Sequence, residues 1–372
     1  MRKVCKCKIK PTINYRTITI NGTVRYYASM NMHLPTKTIL CCFPGGGDSI
    51  QSFLEYTSMN LLNERIIVFQ GQSSGNGYTF QNSFVWLFYN QFQYDPGEQY
   101  QNDISFVDKV LSYYRFDNLF LTGKSDGGGF AVLFSNESKY KNKIKALAIC
   151  SSAHYGLDSV NNFGLYQSND TYNGILTNPE TKIPYKIIIP TIPMLIMHGT
   201  DDQVMPFLGQ NYTTFSAFQN NSGFDYYTLW KQLDPGLTGP ANGSTGIVSS
   251  NTYTADIPRY IDFIKTNFNM NLYSESIVTS IVNTGYNPPS LETFECKSYN
   301  GGNILNFITL NGQNHCWAGH YNSGPDSNAN ANFSLDATYM VALFLNLKLG
   351  RYKPTVDTIP SNFLNIKHNP LL

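Results

Sequence analysis

Three residue types, far apart in this chain, form a set that could run nucleophilic chemistry: Ser125, a carboxylate at Asp201 or Asp202, and His315. A serine hydroxyl is a weak nucleophile until a base takes its proton and a carboxylate holds that base in the right tautomer. Ser125 sits in Gly123-x-Ser125-x-Gly127, after the apolar run Leu119, Phe120, Leu121 and before a small-residue stretch, 128–134, that reads as the start of a helix. Strand, tight turn and helix with a serine at the apex expose the hydroxyl. Glycines flank it because the chain turns too sharply, and packs too closely, for side chains there. The pentapeptide alone is a weak signal in a chain with 29 glycines; its setting and downstream partners give it meaning. A phosphate loop competes, since Gly123-Lys124-Ser125 matches the end of that motif. It fails because Asn118 stands where the first glycine is needed and the residues between form an apolar strand.

The candidate bases are His33, His154, His198, His315, His320 and His368. His315 lies just past the apolar run 304–310, in Asn311-Gly-Gln-Asn-His-Cys-Trp-Ala-Gly. A glycine-bearing loop at the carboxyl end of a strand is where open α/β sheets collect their sites. His198 closes another apolar run and is followed by two carboxylates, so its loop more naturally supplies the acid; His198 itself is read as structural, and His154 as a loop residue.

The elements that must position these residues follow from local pattern. Residues 17–20 and 23–27 alternate around Asn21-Gly22, a two-residue hairpin turn. Apolar runs at 38–43, 66–70, 119–121, 144–149, 193–198 and 304–310 read as buried strands. Helices are expected at 52–63, at 257–268, near 336–347, and from Asp103, read as an N-cap before Ile104, Val107, Val110 and Leu111. Residues 71–100 read as loop with one helical turn. This alternation predicts an α/β fold, a mostly parallel sheet with helices on both faces. One domain is expected over 1–372, with tails at 1–14 and 350–372 and a Gly-, Asn- and aromatic-rich insertion or cap at 207–255.

Composition narrows the partners. Net charge is +1 and only 14% of residues are charged, with Lys and Arg scattered, which argues against nucleic acid as the main partner. No apolar stretch of the roughly 18 residues needed to span a bilayer occurs, and no apolar run follows the basic N-terminus, so the expectation is a cytoplasmic protein without membrane or signal segment. Cys41, Cys42 and Cys150 lie in apolar runs and read as buried thiols, while Cys5-x-Cys7 lacks the second pair a metal site needs.

The order Ser125, Asp, His315 and the spacing His198-Gly-x-x-Asp202-x-x-x-Pro206 resemble the α/β-hydrolases, which selects Asp202 over Asp201. The stretch 296–319, with Gly312-x-x-His315-x-Trp317-x-Gly319, is similar to the branch holding polyhydroxybutyrate depolymerases, feruloyl esterases and acetyl xylan esterases; the resemblance spans 37–206 and 291–347. It implies a serine hydrolase of carboxylic esters, small or polymeric, working through an acyl-enzyme with no metal or organic cofactor. It also implies an oxyanion hole made by the amides of Gly46, after Pro44-Gly45, and Asp126. Trp317, Tyr78 and Trp86 are expected at an apolar substrate wall, with core packing the competing role for Trp86. Two departures matter. Asp126 replaces the usual Asn, setting a carboxylate where negative charge develops, which lowers activity or favours a cationic substrate unless Lys124 offsets it. Cys316 follows the histidine as in tannase-like esterases, but Lys124 occupies the place of its partner cysteine, so that disulfide is absent. The alternatives are a catalytically faded scaffold that binds rather than reacts, and a peptidase using the same triad.

Overall fold

The structure is a computed structural model that describes residues 12–73, 84–86, 96–152, 156–157, 166–167, 175–177, 184–202, 207, 211–214, 247–253, 257–282, 290–319 and 334–368. Tyr78, His154, His320, Pro206, the Cys5-x-Cys7 segment and most of the 207–255 insertion lie outside the described residues.

Ten strands form one sheet: β1 (Ile13–Ile20), β2 (Thr23–Met30), β3 (Thr38–Phe43), β4 (Arg65–Phe69), β5 (Asn118–Lys124), β6 (Ile144–Cys150), β7 (Met194–Gly199), β8 (Asn271–Val282), β9 (Ser290–Asn300) and β10 (Ile304–Leu310). Their spatial order is β1-β2-β4-β3-β5-β6-β7-β10-β9-β8. From β4 to β10 every neighbouring pair is parallel. At one end β2 and β1 are antiparallel, and at the other β9 and β8 are. The sheet is therefore mixed, with a parallel centre.

The central strands are apolar throughout because both faces are covered. Successive residues point to opposite faces, and the burial follows that alternation. Ile39, Cys41 and Phe43 enter one hydrophobic layer with Leu119, Leu121, Leu147 and Ile196. Leu40 and Cys42 enter the other with Phe120, Ala148, Leu195 and Ile308. The first layer is closed by α2 (Pro96–Leu111), α3 (Ser125–Glu137) and α4 (Ile257–Asn267), through Phe106, Val110, Phe130 and Ile264 among others. The second is closed by α1 (Ile50–Thr57) and α5 (Ala337–Phe344), through Phe53, Leu54, Met340 and Phe344. The fold is α/β, with three layers.

Several boundaries differ from the sequence reading for physical reasons. α1 starts earlier, at a capping box in which Ser49 and Ser52 bond reciprocally, and stops at Ser58, which adopts φ 53°. The apolar residues beyond it are accommodated by a short 3₁₀ turn, Met59–Leu61. α2 begins at Pro96, a residue suited to a first helical position, so Asp103 lies inside the helix and is not its cap. Asp103 is buried and pairs with the buried Arg25 of β2 at 2.5 Å, whose guanidinium also lies 4.4 Å above the Phe106 ring. The long β8–β9 hairpin has no counterpart in the expected elements. Residues 350–368, expected as a tail, pack in part against it and against β10: Asn362 donates to Ser274 O and Cys296 O, both at 2.9 Å, and Asn306 Nδ2 of β10 donates to Leu364 O. Within 207–255, Asn211–Thr214 and Ile247–Tyr253 pair antiparallel, with Tyr166–Gln167 on the far side of the latter. Among the described residues no helix is long and apolar enough to cross a membrane.

Candidate active site

Because β3, β5, β6, β7 and β10 run parallel, their carboxyl ends share one edge of the sheet, and Gly46, Ser125, Asp126, Asp202 and His315 each follow one of those ends within a few residues. β5 passes into α3 with no intervening loop. Ser125, the first helical residue, is held at φ 52°, a left-handed conformation that costs a non-glycine residue on the order of 1–2 kcal/mol. Close packing enforces it. A Cβ on Gly123 would come 2.5 Å from Gly127 O, and one on Gly127 would come 2.2 Å from Pro44 O. The two glycines let strand, helix and the loop after β3 touch backbone to backbone.

The loops after β7 and β10 are stitched together. Thr200 N donates to Leu310 O, Asp201 N donates to Gln313 O, both at 3.0 Å, and Gly312 N donates to Thr200 Oγ1 at 2.9 Å. This brings His315 Nδ1 to 2.8 Å from Asp202 Oδ2, with both residues buried. Asp201 is exposed and accepts from its neighbour Thr200 Oγ1. Asp202, then, is the carboxylate that meets the ring. His198 is fully buried and brings Nε2 to 3.4 Å from the same Oδ2, so two imidazoles face one oxygen.

The His315 loop has a second anchor that sequence reasoning missed. The carbonyl of Cys316 accepts from Ser151 Oγ at 2.8 Å, Gln313 Nε2 at 3.1 Å and Cys150 Sγ at 3.5 Å. Ser151 and Cys150 come from the end of β6, the strand beside β5. Their only sequence signal is a pair of small polar residues, Ser151-Ser152, closing an apolar run.

The loop after β3 lies against the serine: a Cβ on Gly45 would be 3.3 Å from Ser125 Cβ. It is rooted by the Asp48 carboxylate, which accepts from Tyr56 Oη at 2.7 Å and Gly45 N at 3.2 Å, and by Trp86, whose Nε1 donates to Pro44 O at 3.0 Å. Asp126 Oδ2 accepts from Trp86 N at 3.0 Å and Oδ1 accepts from Gly127 N at 2.9 Å, and the backbone of Gly46 lies against the carboxylate. Burial pushes this carboxyl up to about 8; the neighbouring amides pull it the other way, and the charge of Asp48 adds to the rise.

No family model and no curated protein matches the chain. Solved structures do. An S-formylglutathione hydrolase from Agrobacterium tumefaciens is 11% identical with a TM-score of 0.36, over 60% of this chain and 83% of that one. A ferulic acid esterase is 13% identical with a TM-score of 0.33, over 52% and 81%. An epoxide hydrolase is 14% identical with a TM-score of 0.29, over 41% and 47%, so this chain spans less than half of that enzyme's length. Likenesses this distant assign no chemistry to the chain.

Other expected site residues take different places. Trp317 is not on a substrate wall: it is fully buried, donates from Nε1 to Thr338 Oγ1 at 2.9 Å and packs edge-on against Phe53. A large ring with its one polar atom satisfied belongs to the core. Trp86 is core too, stacked on Phe130 at 4.5 Å between ring centroids. Lys124 lies over the Tyr56 ring, 5.2 Å from its centroid, and beside Cys150. Among the described residues no group of three His, Cys, Asp or Glu side chains could hold a metal ion.

Proposed function

We propose that the chain is a serine hydrolase of the α/β-hydrolase fold that cleaves carboxylic esters. The observation that carries this reading is the buried Asp202–His315 pair, on the same sheet edge as a serine held at positive φ. Ser125 Oγ attacks the ester carbonyl while His315 Nε2 takes its proton. Asp202 accepts from Nδ1–H, fixing the tautomer and stabilising the imidazolium. The amides of Gly46 and Asp126 hold the oxyanion, where loss of one donor typically costs roughly 10²–10³ in rate. His315 then protonates the leaving alcohol, and water, activated by the same ring, releases the acid. These steps need no metal or organic cofactor. The motif at 296–319 favours the polyhydroxybutyrate depolymerase and feruloyl esterase branch, with small or polymeric esters as substrates and a single catalytic domain carrying the 207–255 insertion.

The test is labelling with a fluorophosphonate, wild type against Ser125→Ala, beside hydrolysis of a short p-nitrophenyl ester and a peptide panel. Labelling that disappears in the variant, with ester turnover, is the expected result. Peptide cleavage in preference to ester would move the reading to a peptidase. A folded wild type inert at every pH would mark a binding scaffold.

A further inference from the structure

A site that must stabilise a developing anion has a carboxylate built into it. Asp126 follows the nucleophile in the first turn of α3, and the backbone amides of Trp86 and Gly127 hold its carboxyl group. A Cβ on Gly46 would lie 3.2 Å from Asp126 Oδ2, so the two residues are in direct contact. Gly46 is the oxyanion donor of the reaction proposed above. A fixed negative charge beside that donor opposes the charge that attack creates on a substrate carbonyl.

On the serine-hydrolase reading, we infer that Asp126 is an electrostatic gate on the oxyanion site: its anionic carboxylate beside Gly46 opposes the developing oxyanion and blocks turnover, and its neutral acid permits turnover. The groups around it favour the neutral form. Asp48, from the loop after β3, adds a second negative charge, and Tyr56 of α1 bonds to Asp48. Among the described residues, the segment 84–86 contributes an amide and no charge, and Lys124, at the end of β5, lies over the Tyr56 ring. Burial and Asp48 together set the proton's release at about pH 8. Below that the acid carries an O–H, which makes the side chain a donor toward an oxyanion where it had been an opposing charge. The same residue thus changes role across the range in which the enzyme would work.

The experiment is a pH profile of kcat/KM for an uncharged p-nitrophenyl ester, and of the fluorophosphonate labelling rate, in wild type and Asp126→Asn. Wild type should lose about tenfold per pH unit above roughly pH 8. Asp126→Asn, uncharged and of the same shape, should lack that falling limb and exceed wild type by about tenfold or more at pH 9. Labelling of Asp126→Asn where wild type stays silent would support this role most strongly. Equal profiles in the two proteins, or a folded Asp126→Asn that is slower at every pH, would overturn the proposal and leave the hydrolase reading intact. If neither protein labels at Ser125 at any pH, the hydrolase reading fails and this proposal with it. Should Asp126→Asn not fold, Asp126→Ser, smaller and also uncharged, is judged by the same outcomes.

Discussion

The nucleophile half and the base half of the site are positioned by different physics. Around Ser125 the backbone does the positioning: Gly123 and Gly127 allow strand, helix and the loop after β3 to approach closer than any side chain permits. Around His315 side chains do it: Asp202 and His198 face the ring's partner oxygen or the ring itself, while Ser151, Gln313 and Cys150 hold one carbonyl of its loop. Backbone packing is all or none, since a misplaced methyl clashes. A set of hydrogen bonds can lose one member and keep the others. The two halves should therefore fail differently under mutation.

The largest effect is expected where a single bond carries chemistry. Asp202→Asn keeps the shape of the base half and removes the anion that selects the tautomer of His315, so turnover should fall by about 10⁴ with little change in melting temperature. Asp201→Asn, on an exposed side chain away from the ring, should leave turnover within about twofold. Steady-state kinetics on the two variants decides it, and the opposite ranking would reverse the choice of acid.

Gly127→Ala tests the other half. Its methyl would stand 2.2 Å from Pro44 O and 2.3 Å from Phe43 O, both backbone atoms that cannot move aside without shifting β3. The expected loss is about 3 kcal/mol of stability or more, read by thermal or urea unfolding, together with loss of Ser125 labelling. A variant of unchanged stability would mean that the close approach of strand and helix is not what holds the serine.

These differences also explain what the sequence revealed. Strands buried on both faces betray themselves as unbroken apolar runs, and 304–310 was read at its true bounds for that reason. The elbow was readable because steric demand leaves glycine as the only solution. The β8–β9 hairpin was not readable: Leu272, Ile277 and Leu291 are each at least half exposed, so apolar residues lie on the open face and blur the alternation. Asp103 was mistaken for a cap because its partner, Arg25, lies 78 positions away and has no local signature. Trp317 sits two residues from His315, yet its indole turns into the core toward Thr338, and spacing along a loop says nothing of direction. Ser151 was overlooked because it acts on a backbone carbonyl, and a carbonyl leaves no mark in sequence.

Asp126 belongs to the nucleophile half but behaves like the base half, as a side chain in a hydrogen-bonded cluster. Its carboxyl is raised from 3.8 to about 8, so between those values the folded state holds a proton that the unfolded state has released. Stability therefore falls as pH rises through that window. Asp126→Asn should flatten that slope and be more stable than wild type at pH 9 by about 1–2 kcal/mol, less than the full shift implies because the residue keeps some solvent exposure. Urea unfolding from pH 5 to pH 9 reads it; parallel slopes would show that Asp126 ionises in the folded protein much as it does in the unfolded chain.

Apart from the Asp201→Asn control, the smallest effect is expected at Ser151. Removing its hydroxyl takes one of three donors from the Cys316 carbonyl and leaves Gln313 Nε2 and Cys150 Sγ in place. A neutral hydrogen bond is worth about 1 kcal/mol, and a carbonyl that keeps other donors is not left unsatisfied. Ser151→Ala should therefore cost about 1 kcal/mol in unfolding and less than tenfold in kcat, with KM unchanged because the hydroxyl acts on the loop of the base and not on substrate. Adding Gln313→Ala in the same chain should cost more than the sum of the two single changes, since the carbonyl then keeps only a thiol at 3.5 Å. Strict additivity would mean that the loop is held by its stitching to Thr200 and Asp201, and the contrast between the two halves would narrow to the Asp202–His315 bond alone.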